Sequence, residues 1–320
     1  MPEVLPGEAS EPVEGQGEDA LPGLRLRPDR LGLAGNLLVA ALSGALLSLS
    51  LPPVDAGWVA FLAPIPFLWV VRTARPRRGL ALGAVFGIAY FGLVLYWILL
   101  FGELGWTALV LLSAASTAVF GLLAPVLWRP RRPVASVLGL AALWTVLEYV
   151  RGNWPLGGFG WGELGSSQTG NRMLLRLASV TGVWGISFVV LAVAGLLLLA
   201  LERGRGAPAR AALLVGVSAV LVLAPGLLPL PAATGRRIDV AAIQVDVREA
   251  RGLGPGAEDV AVARMNVDMD ARLAQDPPDL AVWGEGALDP GAIADPTTMG
   301  SVRSVIARVG APTLAGAVLN

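Results

Sequence analysis

Three short stretches of the sequence carry residue types that could do chemistry. In the first, Trp144, Glu148 and Arg151 follow one another inside an apolar segment at spacings of four and three residues. On an α-helix this spacing places the three side chains on one face. A carboxylate at the end of an apolar segment is costly unless it is paired or faces a cavity. Two interpretations follow: a structural ion pair between Glu148 and Arg151, or an anchor for a lipid headgroup or substrate.

The second stretch is rich in glycine and covers residues 157–168, with the sequence GGFGWGELGSSQ. Glycine permits positive φ angles and close approach of backbones. The rings of Phe159 and Trp161 favour the membrane–water interface. This composition fits a re-entrant or surface-lying loop that lines a lipid entrance, and it fits equally well a flexible linker with aromatic anchors.

The third stretch is residues 283–287, with the sequence WGEGA, directly after a strand predicted over residues 279–283. In parallel α/β sheets, ligands meet the protein at the C-terminal ends of the strands. A glutamate behind an apolar strand would be a desolvated general base, which is one interpretation of Glu285. The other interpretation is an ordinary solvated glutamate in a loop.

The composition excludes most other chemistry within these residues. The 320 residues contain no Cys and no His, and all 24 basic residues are Arg, so Lys is also absent. This excludes disulfides, thiolate and imidazole metal sites, Ser–His pairs, Schiff bases and the phosphate-loop lysine. We expect neither a metal nor a cofactor. Carboxylates, arginines, hydroxyls, amides and the backbone remain for chemistry.

The elements that must position these residues are mostly apolar segments. Hydrophobic residues make up 55% of the chain and charged residues 15%, against ~25% charged residues in an average soluble protein. Mean hydropathy is +0.66. Most of the apolar segments approach the ~20 residues that cross the hydrocarbon of a bilayer, and prolines interrupt the second one. Seven spans are predicted, near residues 31–51, 57–71, 79–101, 105–128, 133–150, 180–201 and 211–230.

The arginines predict an orientation for these spans. Thirteen of them lie before the first span and in the loops between spans two and three, four and five, and six and seven. The short opposite loops, 52–57 and 102–105, hold none, and the longer opposite loop, 151–179, holds three. Because cytoplasmic loops carry an excess of Lys and Arg, the N-terminus is predicted in the cytoplasm and residues after 231 outside.

The chain is predicted to contain three regions. Residues 1–24 are acidic and lack periodicity, so we expect a disordered cytoplasmic tail. Residues 25–231 form the transmembrane domain. Residues 232–320 alternate strands and helices, which predicts an α/β unit with a parallel sheet. Its strands are expected at 238–247, 279–283 and 312–319, and its helices at 257–275 and 298–309.

Together the three stretches resemble the apolipoprotein N-acyltransferases, membrane members of the nitrilase superfamily. The resemblance covers roughly residues 30–320. The chain departs from the family pattern at four positions. Gly160 and Gly284 replace proline, Ser166 replaces tyrosine, and Gly286 replaces threonine or serine. The matching residues are Trp144, Glu148, Arg151, Gly158, Phe159, Trp161, Leu164, Gly165, Ser167, Gln168, Gly182, Gly185, residues 242–244 (AIQ), Val282, Trp283 and Glu285.

The resemblance implies a polytopic α-helical membrane bundle followed by the first part of an α/β nitrilase-like (carbon-nitrogen hydrolase) domain. It implies transfer of a phospholipid acyl chain to the N-terminal cysteine α-amine of diacylated lipoproteins. It also implies the bacterial cytoplasmic (inner) membrane as the location. By family match Glu285 would be the general base. Substrate binding would fall to Trp144, Glu148, Arg151, Phe159 and Trp161.

The same resemblance places a lysine, a cysteine nucleophile and a closing span beyond Asn320. We therefore expect an incomplete, C-terminally truncated acyltransferase that is inactive alone. One alternative is a non-catalytic lipid- or partner-binding membrane protein of the same fold. Another is a transporter, although the segments hold few interior charges and show no inverted repeat.

Overall fold

The computed structural model describes residues 28–204, 206–230, 235–254 and 256–317. The acidic tail over residues 1–24 lies outside the described residues. The chain divides into two compact units, one that ends at Leu230 and one that follows it. The first unit is helical and the second contains a small sheet.

In the first unit, six helices of the described residues are long and apolar enough to cross a membrane. Short 3₁₀ turns at Pro28–Leu31 and Ala224–Leu227 extend the first and last of them. The multi-pass membrane character predicted from the sequence is therefore confirmed. The six helices are α1 (Gly32–Ser48), α4 (Pro76–Val94), α5 (Glu103–Leu127), α6 (Pro133–Asn153), α8 (Ala178–Arg203) and α9 (Pro208–Leu223).

The second predicted span forms two short helices, α2 (Val59–Leu62) and α3 (Pro64–Val71). Together they cover Val59–Val71, fewer residues than the ~20 that cross the hydrocarbon. Pro64 lies in the first turn of α3, where a missing backbone N–H costs nothing, so the proline begins a new helix. A seventh complete span stays a prediction. A further short helix, α7 (Arg172–Leu175), lies before α8.

The backbones of α4 and α5 lie in close contact. A Cβ atom on Gly83 would lie 2.1 Å from the carbonyl oxygen of Thr117, and one on Gly79 would lie 2.1 Å from that of Gly121. Lipid tails are as apolar as leucine, so helices in a membrane associate through close packing of small residues. These glycines therefore let the backbones of α4 and α5 pack directly against each other.

Replacing Gly83 by Val is expected to lower the stability of the protein by about 1–3 kcal/mol, because the added side chain overlaps the Thr117 carbonyl. Gly139→Val is the matched control, since Gly139 also lies inside a long helix but a Cβ there meets nothing within 4 Å. Thermal unfolding in detergent, followed by circular dichroism, measures both. Equal effects of the two substitutions would contradict the close-packing argument.

The second unit contains a parallel three-stranded sheet in the order β1 (Val240–Ile243), β2 (Leu280–Leu288) and β3 (Thr313–Ala317). The predicted strand–helix–strand–helix–strand order and parallel pairing are confirmed, although β1 is shorter than predicted. The connections contain α10 (Ala257–Asp270), α11 (Pro290–Ala294) and α12 (Pro296–Val309). A small core of Ile243, Trp283, Ala287, Val302, Val305, Val309 and Ala311 joins the helices to the sheet.

The second strand of the sheet is longer than its sequence predicted. It was expected to end at Trp283, with the WGEGA segment as a loop, but β2 continues to Leu288. Trp283 pairs with Ala315 and Leu288 pairs with Ala317, so the register shifts between them. Gly286 supplies the positive φ of +71° in this irregular part. Glu285 therefore lies within β2.

Candidate functional site

The three residues on α6 share one face, as predicted, and all three are buried. The indole Nε1 of Trp144 donates to Glu148 Oε1 at 2.8 Å. Of the two interpretations of this face, the ion pair is not observed, because no salt bridge joins Glu148 to Arg151 in the described parts of the chain. Arg151 instead contacts the loop that follows α6. Its Nη1 donates to the carbonyl oxygens of Phe159 at 2.6 Å and Trp161 at 2.7 Å.

The glycine-rich loop is hydrogen-bonded to the bundle along its length. Glu148 Oε1 accepts from the backbone N–H of Leu164 at 2.7 Å. The Tyr90 hydroxyl donates to the carbonyl of Gly162 at 3.2 Å, and Ser187 Oγ accepts from the N–H of Gly165 at 2.8 Å. These contacts favour a loop of fixed conformation over the flexible linker that its composition also fits.

One glycine of this loop is required by sterics. Gly158 has a φ of +85°, and a Cβ atom there would lie 2.2 Å from the carbonyl carbon of Gly152. The loop can therefore fold back onto the end of α6 only if residue 158 has no side chain. The backbone N–H of Phe159 then donates to the carbonyl of Arg151 at 2.8 Å.

A second buried carboxylate, Glu163, belongs to the same loop. The Trp184 indole donates to Glu163 Oε1 at 3.3 Å. Burial raises the pKa of Glu163, while the Arg151 guanidinium acts in the opposite direction. The sequence reasoning gave no role to Tyr90, Glu163 or Ser187. The sequence feature that could have pointed to them is a polar side chain within or beside an apolar segment.

An open cavity of about 620 Å³ lies beside this loop, and we call it the aromatic cavity. The rings of Trp97 and Trp161 meet at its edge with centroids 5.1 Å apart. Its size is within the range of small-molecule sites, ~300–1,000 Å³. The residues that line it are Leu51, Pro52, Pro53, Asp55, Val94, Tyr96, Trp97, Gly160, Trp161, Gly162, Ser166 and Thr169.

Of the predicted substrate-binding residues, only Trp161 lines the aromatic cavity. Trp144, Glu148 and Arg151 are buried, and they line a separate small cavity with residues of α4 and α5. Phe159 is half-buried and packs on the bundle core. The structure therefore places Trp161 where a ligand can touch it, and places Glu148 and Arg151 where they hydrogen-bond to the loop.

Glu285 lies in the second unit and is exposed. Of the two interpretations of Glu285, a desolvated general base and a solvated glutamate, the described residues show the solvated side chain, and its role as the general base stays a prediction. β3 approaches closely here, since a Cβ on Gly316 would lie 2.5 Å from the Gly284 carbonyl oxygen. Trp283 Nε1 donates to the buried Asp270 at 3.3 Å, and burial raises the pKa of Asp270.

No group of three or more His, Cys, Asp or Glu side chains that could hold a metal occurs within the described ranges. The chemistry that these residues offer is thus acid–base chemistry by carboxylates, and binding by aromatic and apolar surfaces.

Comparison with known proteins identifies the family. The family described as apolipoprotein N-acyltransferase N-terminal domain matches residues 43–196, which include the α6 face and the glycine-rich loop. A curated apolipoprotein N-acyltransferase from Geobacter metallireducens is 30% identical over 266 residues, which cover 78% of this chain and 51% of the relative. Another from Pseudomonas putida is 36% identical over 280 residues, which cover 81% and 53%.

A third relative, from Pseudomonas syringae pv. tomato, is 34% identical over 280 residues, which again cover 81% of this chain and 53% of the relative. It too is named apolipoprotein N-acyltransferase. The chain spans about half the length of the curated relatives it matches. With its matched bundle, its glycine-rich loop and these relatives, the chain belongs to the apolipoprotein N-acyltransferase family.

Proposed function

We propose that this chain takes part in transferring a phospholipid acyl chain to the N-terminal cysteine α-amine of diacylated lipoproteins. The aromatic cavity is the observation that carries the proposal, because it lies in the unit that matches the family and combines apolar walls with interfacial aromatic rings. Its apolar wall, formed in part by Leu51 and Val94, would accept an acyl chain. Trp97 and Trp161 would lie at the level of the headgroup.

The proposal includes an arrangement in the bacterial inner membrane. Residues 25–231 would form the transmembrane domain with seven spans, of which α2 and α3 are the short one, and the N-terminus would lie in the cytoplasm. Residues 232–320 would be a partial nitrilase-like domain outside the membrane. The distribution of the arginines supports this orientation. Exported lipoproteins would then meet the second unit on the side where they arrive.

In the proposed reaction Glu285 is the general base. Its carboxylate takes the proton of a cysteine thiol, and the thiolate attacks the ester carbonyl of a phospholipid. The lysophospholipid leaves as its alcohol, and the thioester is then opened by the lipoprotein's amine. A lysine would help to hold the oxyanion. The 320 residues contain neither cysteine nor lysine, so both groups must come from other residues.

Fusing the chain to the remaining half of the Pseudomonas putida relative tests this function. The fusion is expected to N-acylate a diacylated lipopeptide and to form a hydroxylamine-labile acyl intermediate. The 320-residue chain alone is expected to do neither, because a thioester needs a thiol. The intact relative is the positive control, and mass spectrometry detects both products. An acyl intermediate on the chain alone would contradict the mechanism.

The same experiment distinguishes the proposed acyltransferase from the non-catalytic alternative, a binding protein of the same fold. The exposed position of Glu285 within these residues is the observation behind that alternative, because a general base normally lies in a cleft with its substrate. A folded, membrane-inserted fusion that binds phospholipid but does not acylate the lipopeptide would support a binding protein of the same fold.

A further inference from the structure

We propose that Arg151 is a positioning residue for the aromatic cavity, and that its guanidinium fixes the backbone that forms one wall of the site. The inference rests on the proposed function, because it takes the aromatic cavity as the lipid site. It differs from the expectation that Arg151 touches the substrate, since Arg151 is buried behind the wall and does not line the cavity.

The first step is the geometry of the guanidinium's hydrogen bonds. A single nitrogen, Nη1, reaches the carbonyl oxygens of both Phe159 and Trp161. These carbonyls stand on either side of Gly160, which lines the cavity and has no side chain to restrict its own backbone. Two carbonyls that point to one donor fix the turn between them. Arg151 therefore sets the path of the cavity wall at residues 159–161.

The second step is the surroundings of the guanidinium. Arg151 is 6% exposed, and its Cζ lies 4.9 Å from the centroid of the Phe91 ring. The carboxylates of Glu148 and Glu163 are close enough to interact electrostatically with it, but neither forms a salt bridge to it in the described residues. A charge-assisted hydrogen bond in such a place is roughly twice as strong as a neutral one. Within the described residues Nε and Nη2 are buried without a hydrogen-bond partner, so the two loop carbonyls at Nη1 are the acceptors that this guanidinium has.

The third step connects the wall to the ligand surface. The Trp161 ring is 57% exposed and packs on Trp97, which belongs to a different segment, Tyr96–Phe101. The position of this exposed ring therefore depends on its own backbone, whose carbonyl Arg151 holds. Loss of Arg151 should change the cavity at Trp161 more than it changes the bundle.

Arg176 provides a matched control within the same unit. Its Nη1 also donates to a backbone carbonyl, that of Leu228, at 2.9 Å. It does not line the aromatic cavity. Arg176→Gln therefore also removes an arginine–carbonyl hydrogen bond, but away from the cavity. A change in the cavity is expected only from Arg151→Gln.

The test measures how a brominated phosphatidylcholine quenches the fluorescence of Trp161 in the full 320-residue chain in detergent. The Trp161 signal is the difference between each protein and its Trp161→Phe form. Trp58 is 67% exposed and does not line the cavity, so its quenching measures non-specific contact with lipid. Its signal is obtained in the same way, as the difference from the Trp58→Phe form. Wild type should show saturable quenching of Trp161 and only gradual quenching of Trp58.

Arg151→Gln is expected to raise the half-quenching lipid concentration about tenfold. Arg176→Gln is expected to leave it within about twofold of wild type. Arg151→Lys should recover part of the loss, because it restores the charge but not the planar guanidinium. Quenching of Arg151→Gln equal to wild type would overturn the inference, as would an equal loss in Arg176→Gln.

Other outcomes separate the two proposals. If wild type shows no saturable quenching of Trp161, the lipid site itself is wrong, and the proposed function loses its support whatever Arg151 does. If Arg151→Gln does not fold, Arg151→Lys decides in the same assay: a weaker saturable phase supports the inference, and a wild-type curve overturns it.

Discussion

Replacing Glu285 by Gln in the fused acyltransferase is expected to lower the rate of lipopeptide acylation by about 10²–10⁴-fold. The amide has nearly the same shape as the carboxylate but cannot take the proton of a thiol. The side chain is exposed, so strand pairing in β2 should survive the change. The measurement is the initial rate of N-acylation, followed by mass spectrometry of the lipopeptide.

The pH profile gives this prediction a second readout. A free thiol has a pKa of about 8.5, so its thiolate fraction rises with pH without any base. The rate of Glu285→Gln should therefore recover partly as the pH rises through that value. Glu249→Gln, an exposed glutamate of the same unit, is the control and should keep the wild-type rate. Loss of activity in both variants, or in neither, would contradict the role of Glu285.

Replacing Glu148 by Ala is expected to destabilise the protein by about 2–4 kcal/mol. Two buried donors, the Trp144 indole and the Leu164 backbone N–H, would lose their common acceptor Oε1. Arg151 would lose one of the two carboxylates that interact electrostatically with it. Thermal unfolding in detergent, followed by circular dichroism, measures the change.

Glu148→Gln distinguishes the loss of a hydrogen-bond acceptor from the loss of a negative charge. The amide oxygen can still accept from both donors, so the cost should be well below that of Glu148→Ala. Exposed Glu103, in the first turn of α5, gives the surface control, and Glu103→Ala should change stability by less than about 0.5 kcal/mol. Equal losses in Glu148→Ala and Glu148→Gln would show that charge, and not the shared acceptor, dominates.

The large elements of this protein could be predicted from its sequence because their signals are local. Long apolar segments mark the spans, and alternating apolar runs and breakers mark the β-α-β-α-β order. The spacing of Trp144, Glu148 and Arg151 correctly placed them on one helix face. Where prolines interrupt an apolar segment, as at Pro64, a local count of hydrophobic residues overestimates the helix length.

The details of the site could not be predicted, because they depend on contacts between distant residues and on the backbone. The partners of Glu148 and Arg151 are an N–H and two carbonyls of the following loop, and backbone groups leave no trace in the residue types. Likewise, the contact between Trp97 and Trp161 joins segments far apart in sequence. Glu285 shows the same limit, since the extension of β2 depends on its pairing with β3.

The central position of α8 has a consequence for how the protein is made. This helix contacts α2, α3, α6 and α9, and most of its residues from Ile186 to Ala200 are buried. Synthesis proceeds from the N-terminus, so α2, α3 and α6 are synthesised before the helix that they pack against. The Gly165 N–H must likewise wait for Ser187. The bundle is therefore completed late in synthesis, and the glycine-rich loop gains its hydrogen bond to α8 only after residue 187 has been translated.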